Sequence, residues 1–146
     1  MRGVTLAELL TGIVIVGVIT GLGIPNAMAL ADRLAVERQA AVVMHGYQRA
    51  RLAALTSLQP VRLTVQPDRT TVYLLSDRSG TRDSTLAWDA PGPASEGVVL
   101  RSSPGSVTIV PSGLAIGVGN GRYVLERGRI SRSLVASRLG RLRVDR

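Results

Sequence analysis

The sequence contains no cysteine and no lysine, and only one histidine. Without cysteine there is no disulfide and no thiolate metal site. With His45 alone, neither an imidazole-rich metal site nor a Ser-His-Asp arrangement has its material. His45 falls in a helix-patterned stretch and reads as a packing or surface residue. Aromatic residues make up 3% of the chain, and Trp88 and Tyr123 are too sparse to form a base-stacking platform. Asp68, Asp77, Asp83 and Asp89 fall in turn-like sequence, where aspartate is expected for backbone reasons, and no pair is placed for acid–base work. The glycine-rich run Gly117-Val118-Gly119-Asn120-Gly121 lies between strand-like segments and not ahead of a helix, so it reads as a loop and fails as a phosphate cradle. No cofactor, no metal site and no enzymatic activity is expected.

All 18 basic residues are arginine, against 10 carboxylates, for a net charge of +8. Such an excess favours contact with phosphates, whether of nucleic acid or of anionic lipid. Charge is missing altogether from residues 9–31, a run of 23 positions. That exceeds the 18 or so apolar residues that license a membrane span, and as a helix it covers roughly 35 Å. Only Met1, Arg2 and Gly3 lie ahead of the apolar region's first turns, and no small-x-small cleavage site closes it, so it does not read as a secretory signal peptide. Glu8 sits at the end where the run begins, a costly position that demands a partner or a task. Gly17 and Gly21 form a GxxxG pair, a spacing that lets helices approach closely. Pro25 removes a backbone bond in mid-helix and so introduces a kink or a point of local melting.

The segment Gly3-Val4-Thr5-Leu6-Ala7-Glu8, with the apolar run and Pro25, resembles the class III signal of type IV pilins and of the pseudopilins of type II secretion. The resemblance implies cleavage after Gly3 by a prepilin peptidase and N-methylation of Val4, with Glu8 as fifth and Pro25 as twenty-second mature residue. Val4 stands where Phe is usual, and Ala7 where a larger aliphatic is usual. The resemblance further implies that Glu8 pairs with the freed amine of Val4 on a neighbouring subunit. In a low dielectric, a carboxylate opposite an ammonium fares far better than either alone.

Beyond Asp32 the pattern is that of an amphipathic helix. Val36, Ala40, Val43, Tyr47, Ala50, Ala54 and Leu58 recur at steps of three or four, and the helix should stop between Ser57 and Gln59, ahead of Pro60. Strand-like runs then follow at 61–65 and 70–75, joined by turn chemistry at 66–69 as a hairpin. Residues 76–81 and 90–95 read as loops around a short strand-like segment at 85–88. Further runs lie at 98–100, 107–110, 115–118, 122–125, 133–137 and 141–144, with Gly140 suited to a tight turn between the last two. The expected architecture is α+β: a leader at 1–3, a long helix over 4–59 whose part at about 6–31 spans the membrane, and a β-rich domain over 60–146 whose antiparallel sheet covers the helix. Val110-Pro111-Ser112-Gly113 and the ending from Leu134 to Val144 resemble the GspH/FimT group of minor pilins.

Two functions follow as expectations. The first is a minor structural subunit of a pilus or of a type II secretion pseudopilus. Its partners would be other such subunits and the prepilin peptidase. It would wait in the bacterial inner membrane with its globular part in the periplasm. The second is a minor pilin that binds double-stranded DNA during uptake, since some members of the group do so through a Gly-Arg-x-Arg ending. Here that ending is Gly140-Arg141-Leu142-Arg143, with Arg138 nearby. In a strand, Arg141 and Arg143 share one side while Leu142 and Val144 face the core, and guanidinium groups suit phosphate because they bind it in a bidentate fashion.

Overall fold

A computed structural model describes residues 4–78, 81–103, 105–116 and 121–145. Among the described residues, one 52-residue helix, α1 (Leu6–Ser57), precedes nine strands. It begins with a capping box, in which Thr5 accepts from the Glu8 amide and Glu8 accepts from the Thr5 amide, so two helix-start donors are satisfied reciprocally. The helix continues unbroken through position 25. Thr11 and Thr20, in the apolar run, return their hydroxyls to the carbonyls of Ala7 and Val16, so neither presents an unpaired donor to a lipid-like surrounding. The helix stops at Leu58, which adopts φ +53°, just ahead of Pro60.

Its two halves differ sharply in surroundings. Leu9, Leu10, Ile13, Val14, Ile15, Val16, Val18 and Ile19 are all exposed, whereas Val36, Ala40, Val43, Tyr47, Ala50 and Ala54 are buried. Leu58 departs from the expected stripe: it is 76% exposed, because the left-handed turn at the helix end carries its side chain off the buried face.

The strands form two antiparallel sheets where one was expected. The larger has the order β3-β2-β1-β5-β6, with β1 (Val61–Val65), β2 (Arg69–Arg78), β3 (Thr81–Pro91), β5 (Ser106–Ile109) and β6 (Ala115–Ile116). The smaller has the order β4-β7-β8-β9, with β4 (Val99–Ser103), β7 (Gly121–Arg127), β8 (Ile130–Ala136) and β9 (Leu142–Asp145). A short 3-10 helix, Pro93–Glu96, links β3 to β4. The second half of α1 packs against both sheets. It meets Val61, Leu63, Val65, Val72 and Ile109 of the first, and Tyr123, Leu125, Leu134 and Ala136 of the second. Each large side chain so buried contributes roughly 1.5–3 kcal/mol.

The loop expected at 76–81 is strand at its described residues, 76–78 and 81, whereas at 90–95 the strand ends at Pro91 and the chain turns through Gly92 into the 3-10 helix. β2 and β3 extend as an arm well past the end of β1, whose last partner on β2 is Leu74. At its described residues the arm is half-buried (Leu75, Ser76) or exposed (Asp83, Ser84), so its sequence carries no alternation to read. The run at 117–120 and residues 1–3 lie outside the described residues.

Candidate functional site

Two regions carry the expected site residues. At the amino end, Gly3 lies outside the described residues, Val4 is 71% exposed, and α1 passes through Pro25. Glu8 is engaged locally. Its Oε2 accepts from the Thr5 amide at 2.9 Å and from the Thr5 hydroxyl at 3.0 Å, while the Glu8 amide donates back to Thr5 Oγ1 at 3.3 Å. Thr5 was the residue missed in the sequence, although Thr5-Leu6-Ala7-Glu8 has the T-x-x-E signature of a capping box. Glu8 therefore has a structural occupation in the single chain besides any role toward a neighbour.

At the carboxyl end, the β8–β9 turn closes through Gly140 N donating to Ser137 O (3.1 Å) and Ser137 N donating to Arg141 O (2.8 Å). Gly140 has φ +69°, and a Cβ there would collide with the Gly113 carbonyl. The two stretches that carry the group resemblance, Val110–Gly113 and the Gly140 ending, thus touch. Arg51 of α1 reaches the same point and donates from Nη1 to the Gly140 carbonyl at 3.2 Å. Ala115 N donates to Arg138 O at 3.1 Å, which ties the edge of the larger sheet to the same turn. Arg51 was another residue the sequence did not single out, since nothing in one chain's spacing connects position 51 to 140.

Arg138, Arg141 and Arg143 are exposed and carry no salt bridge among the described residues. Arg141 lies in the turn just ahead of β9. Arg143 pairs in register with Val135, which also faces Arg122 of β7, so Arg122 and Arg143 share the outer face of the smaller sheet. Leu142 packs against the core as expected. Val144, opposite Leu134, is on that face but 48% exposed, because β9 is an edge strand and the helix does not cover its end. Other arginines are engaged: Arg101 with Glu126 (3.3 Å) and Arg122 with Asp145 (3.3 Å) on the outer face, and Arg132 with Glu37 (3.3 Å) across to α1. Arg62 and Arg129 are also exposed and without a salt bridge among the described residues, so free positive charge is not confined to the ending.

The titrations follow from these contacts. Arg33 and then Arg132, both bonded to Glu37, hold its carboxyl below the usual carboxylate range. Burial pushes the Tyr123 phenol up to about 12, with Tyr47 close by adding to it. Tyr47 itself is raised by burial, partly offset by the Arg51 cation. The hydroxyls of both tyrosines are buried without a hydrogen-bond partner among the described residues. Among those residues, no group of three His, Asp or Glu side chains is arranged to hold a metal.

A long helix, bare in its first half and packed in its second under antiparallel sheet, is the fold of type IV pilins and pseudopilins. The type IV minor pilin FimU of Pseudomonas aeruginosa superposes with a TM-score of 0.59 at 14% identity, over 84% of this chain and 93% of that one. The minor pseudopilin EpsH of the Vibrio cholerae type 2 secretion system superposes with a TM-score of 0.53 at 16% identity, over 73% of this chain and 94% of that one. No protein-family model and no curated protein matches the chain.

Proposed function

We propose that this chain is a minor pilin or pseudopilin, a non-enzymatic subunit that joins a filament through the exposed half of α1. The observation that carries the reading is the bare apolar half of α1, which among the described residues nothing in the β-domain covers, on a fold shared with two minor filament subunits. Before assembly the stretch at about 6–31 anchors the subunit in the bacterial inner membrane, with the β-domain in the periplasm. A prepilin peptidase removes residues 1–3 by cutting after Gly3, and Val4 is N-methylated. Glu8 then exchanges its local bonds to Thr5 for the amine of Val4 on a neighbouring subunit. Pro25, which lacks an amide hydrogen, marks where the helix yields as it leaves the bilayer and repacks. Mass spectrometry of the chain from cells that hold the peptidase tests this. The expected product begins at N-methylated Val4; an intact Met1 end, or cleavage past Ala27, defeats the reading.

A second reading rests on the unpaired guanidinium groups at the ending. In it, Arg138, Arg141 and Arg143, presented by the Gly140 turn, grip the phosphates of double-stranded DNA during uptake. Sequence-independent binding that weakens steeply with salt is its signature, because each phosphate contact releases counterions. The absence of a gel shift even at low salt eliminates it.

A further inference from the structure

Where α1 leaves its uncharged run, the β-domain grips it. Arg127, the last residue of β7, pairs through Nε with Asp32 Oδ1 at 2.9 Å, and its Nη1 donates to the Glu96 carbonyl. Beside this clasp is a cleft of about 490 Å³ lined by Ala31, Leu34, Ala35, Arg38, Glu96 and Arg127. Ala31, Leu34, Ala35 and Arg38 make one face of the helix. Ala31 and Leu34 give the cleft an apolar side at the level where the uncharged run ends. Arg38 lies two turns higher, roughly 10 Å along the axis, at the outer margin of a headgroup layer roughly 5–8 Å deep. Arg38 and the Glu96 carboxylate form no salt bridge among the described residues. They stand on opposite walls, one on the helix and one on the 3-10 segment.

An apolar side at the membrane boundary below one free cation and one free anion matches a single kind of occupant. We infer that the cleft seats the headgroup of a zwitterionic phospholipid bearing a primary ammonium. Its phosphate meets Arg38, with Arg127 behind, its ammonium meets Glu96, and an acyl chain runs down past Leu34 and Ala31. A purely anionic headgroup would face the Glu96 carboxylate unpaired, and a quaternary ammonium has no hydrogen to donate to it. This rests on the membrane-anchor reading above.

The test uses the full chain reconstituted in phosphatidylcholine vesicles with added phosphatidylethanolamine or phosphatidylglycerol, extracted in mild detergent and weighed by native mass spectrometry. The expected result is one retained phosphatidylethanolamine per chain, favoured over phosphatidylcholine by about ten-fold, a difference of about 1.4 kcal/mol. Arg38→Gln should lower retention of every phospholipid, whose phosphate it meets, with an unchanged circular dichroism spectrum. Glu96→Gln should shift retention toward phosphatidylglycerol, and Arg143→Gln, at the far end, should change nothing. Equal retention of the three lipids, preference of the parent chain for phosphatidylglycerol, or an equal loss in Arg143→Gln overturns the inference. Carbonate washing separates the two readings. A chain stripped from the vesicles defeats the anchor and the lipid seat together, whereas an embedded chain that retains no lipid defeats the lipid seat alone.

Discussion

Replacing Gly46 by leucine should pry α1 away from the larger sheet. Gly46 faces side chains of β1, β2 and β3. A Cβ at this position would lie 2.9 Å from Trp88 Cζ3, 3.3 Å from Leu63 Cδ1 and 3.4 Å from Thr70 Cγ2. In Gly46→Ala two effects oppose: helix propensity gains about 1 kcal/mol, and overpacking costs roughly 1–3 kcal/mol. The net loss is therefore small, about 1 kcal/mol. Gly46→Leu brings three further carbons into the same space, so the overpacking cost moves to the top of that range. The expected net loss is about 2–3 kcal/mol, which for a domain of this size lowers Tm by roughly 8–12 °C. Trp88 is the sole tryptophan, and Arg49 stacks over its ring at 5.9 Å, so its emission reports directly on the contact. The ring should be displaced toward water and its emission should move to the red. Trp88→Ala in the Gly46→Leu background should recover about 1 kcal/mol, because the two sites share one volume. A Gly46→Leu chain that melts within about 2 °C of the parent with unshifted emission refutes the reasoning, since the helix–sheet spacing would then be set elsewhere.

Glu8→Gln keeps the side-chain acceptor of the capping box while removing the charge. It should leave the helix start intact yet block incorporation into filaments, as scored by co-purification with them, and unimpaired incorporation refutes the pairing with Val4. Replacing Arg141 and Arg143 together by Gln should lower DNA affinity and reduce the salt slope by about two units. The double change at the exposed Arg62 and Arg129 should lower net charge equally with less effect, and an equal effect would mean diffuse attraction. Because the Glu37 carboxyl is held low in the folded chain, it stabilises the fold above the usual carboxylate range and loses that contribution as pH falls through its folded value. Thermal melts in acid should thus drop more steeply for the parent than for Glu37→Gln. Tyr123 has the opposite sign. Its folded value near 12 exceeds its ordinary 10, so the fold keeps its full stability below pH 10 and loses it as pH climbs toward 12. Tyr123→Phe should move the alkaline unfolding transition upward.

Legibility in the sequence followed burial. β1 was readable to the residue because one of its faces is covered and the other is not, so apolar and polar residues alternate. The helix stripe was readable from Val36 to Ala54 for the same reason. The outer half of the β2–β3 arm was not, because it has no buried face to impose a period. The division into two sheets was also hidden. It depends on which strands find each other across the helix, and β1 of one sheet and β7 of the other show the same local alternation. At the sites, the capping box at Thr5 and Glu8 was present as a local spacing and went unread beside the stronger pilin resemblance. The meeting of Arg51, Gly113 and Gly140 is set by tertiary contact alone, and no local spacing announces it.

Polar contacts pin the β-domain to α1 near both ends of the packed half, Asp32 with Arg127 at one end and Arg51 with the Gly140 carbonyl at the other, separated by roughly 28 Å of helix, with Arg132 and Glu37 between them. A load pulling along the helix axis cannot peel the domain off from one end, because either pin holds while the other is strained. It is carried as shear across the whole packed face between them, where the interlocked side chains resist sliding together. Such a head turns and travels with its shaft, so a load applied to the exposed half of α1 is passed on to the β-domain along that face.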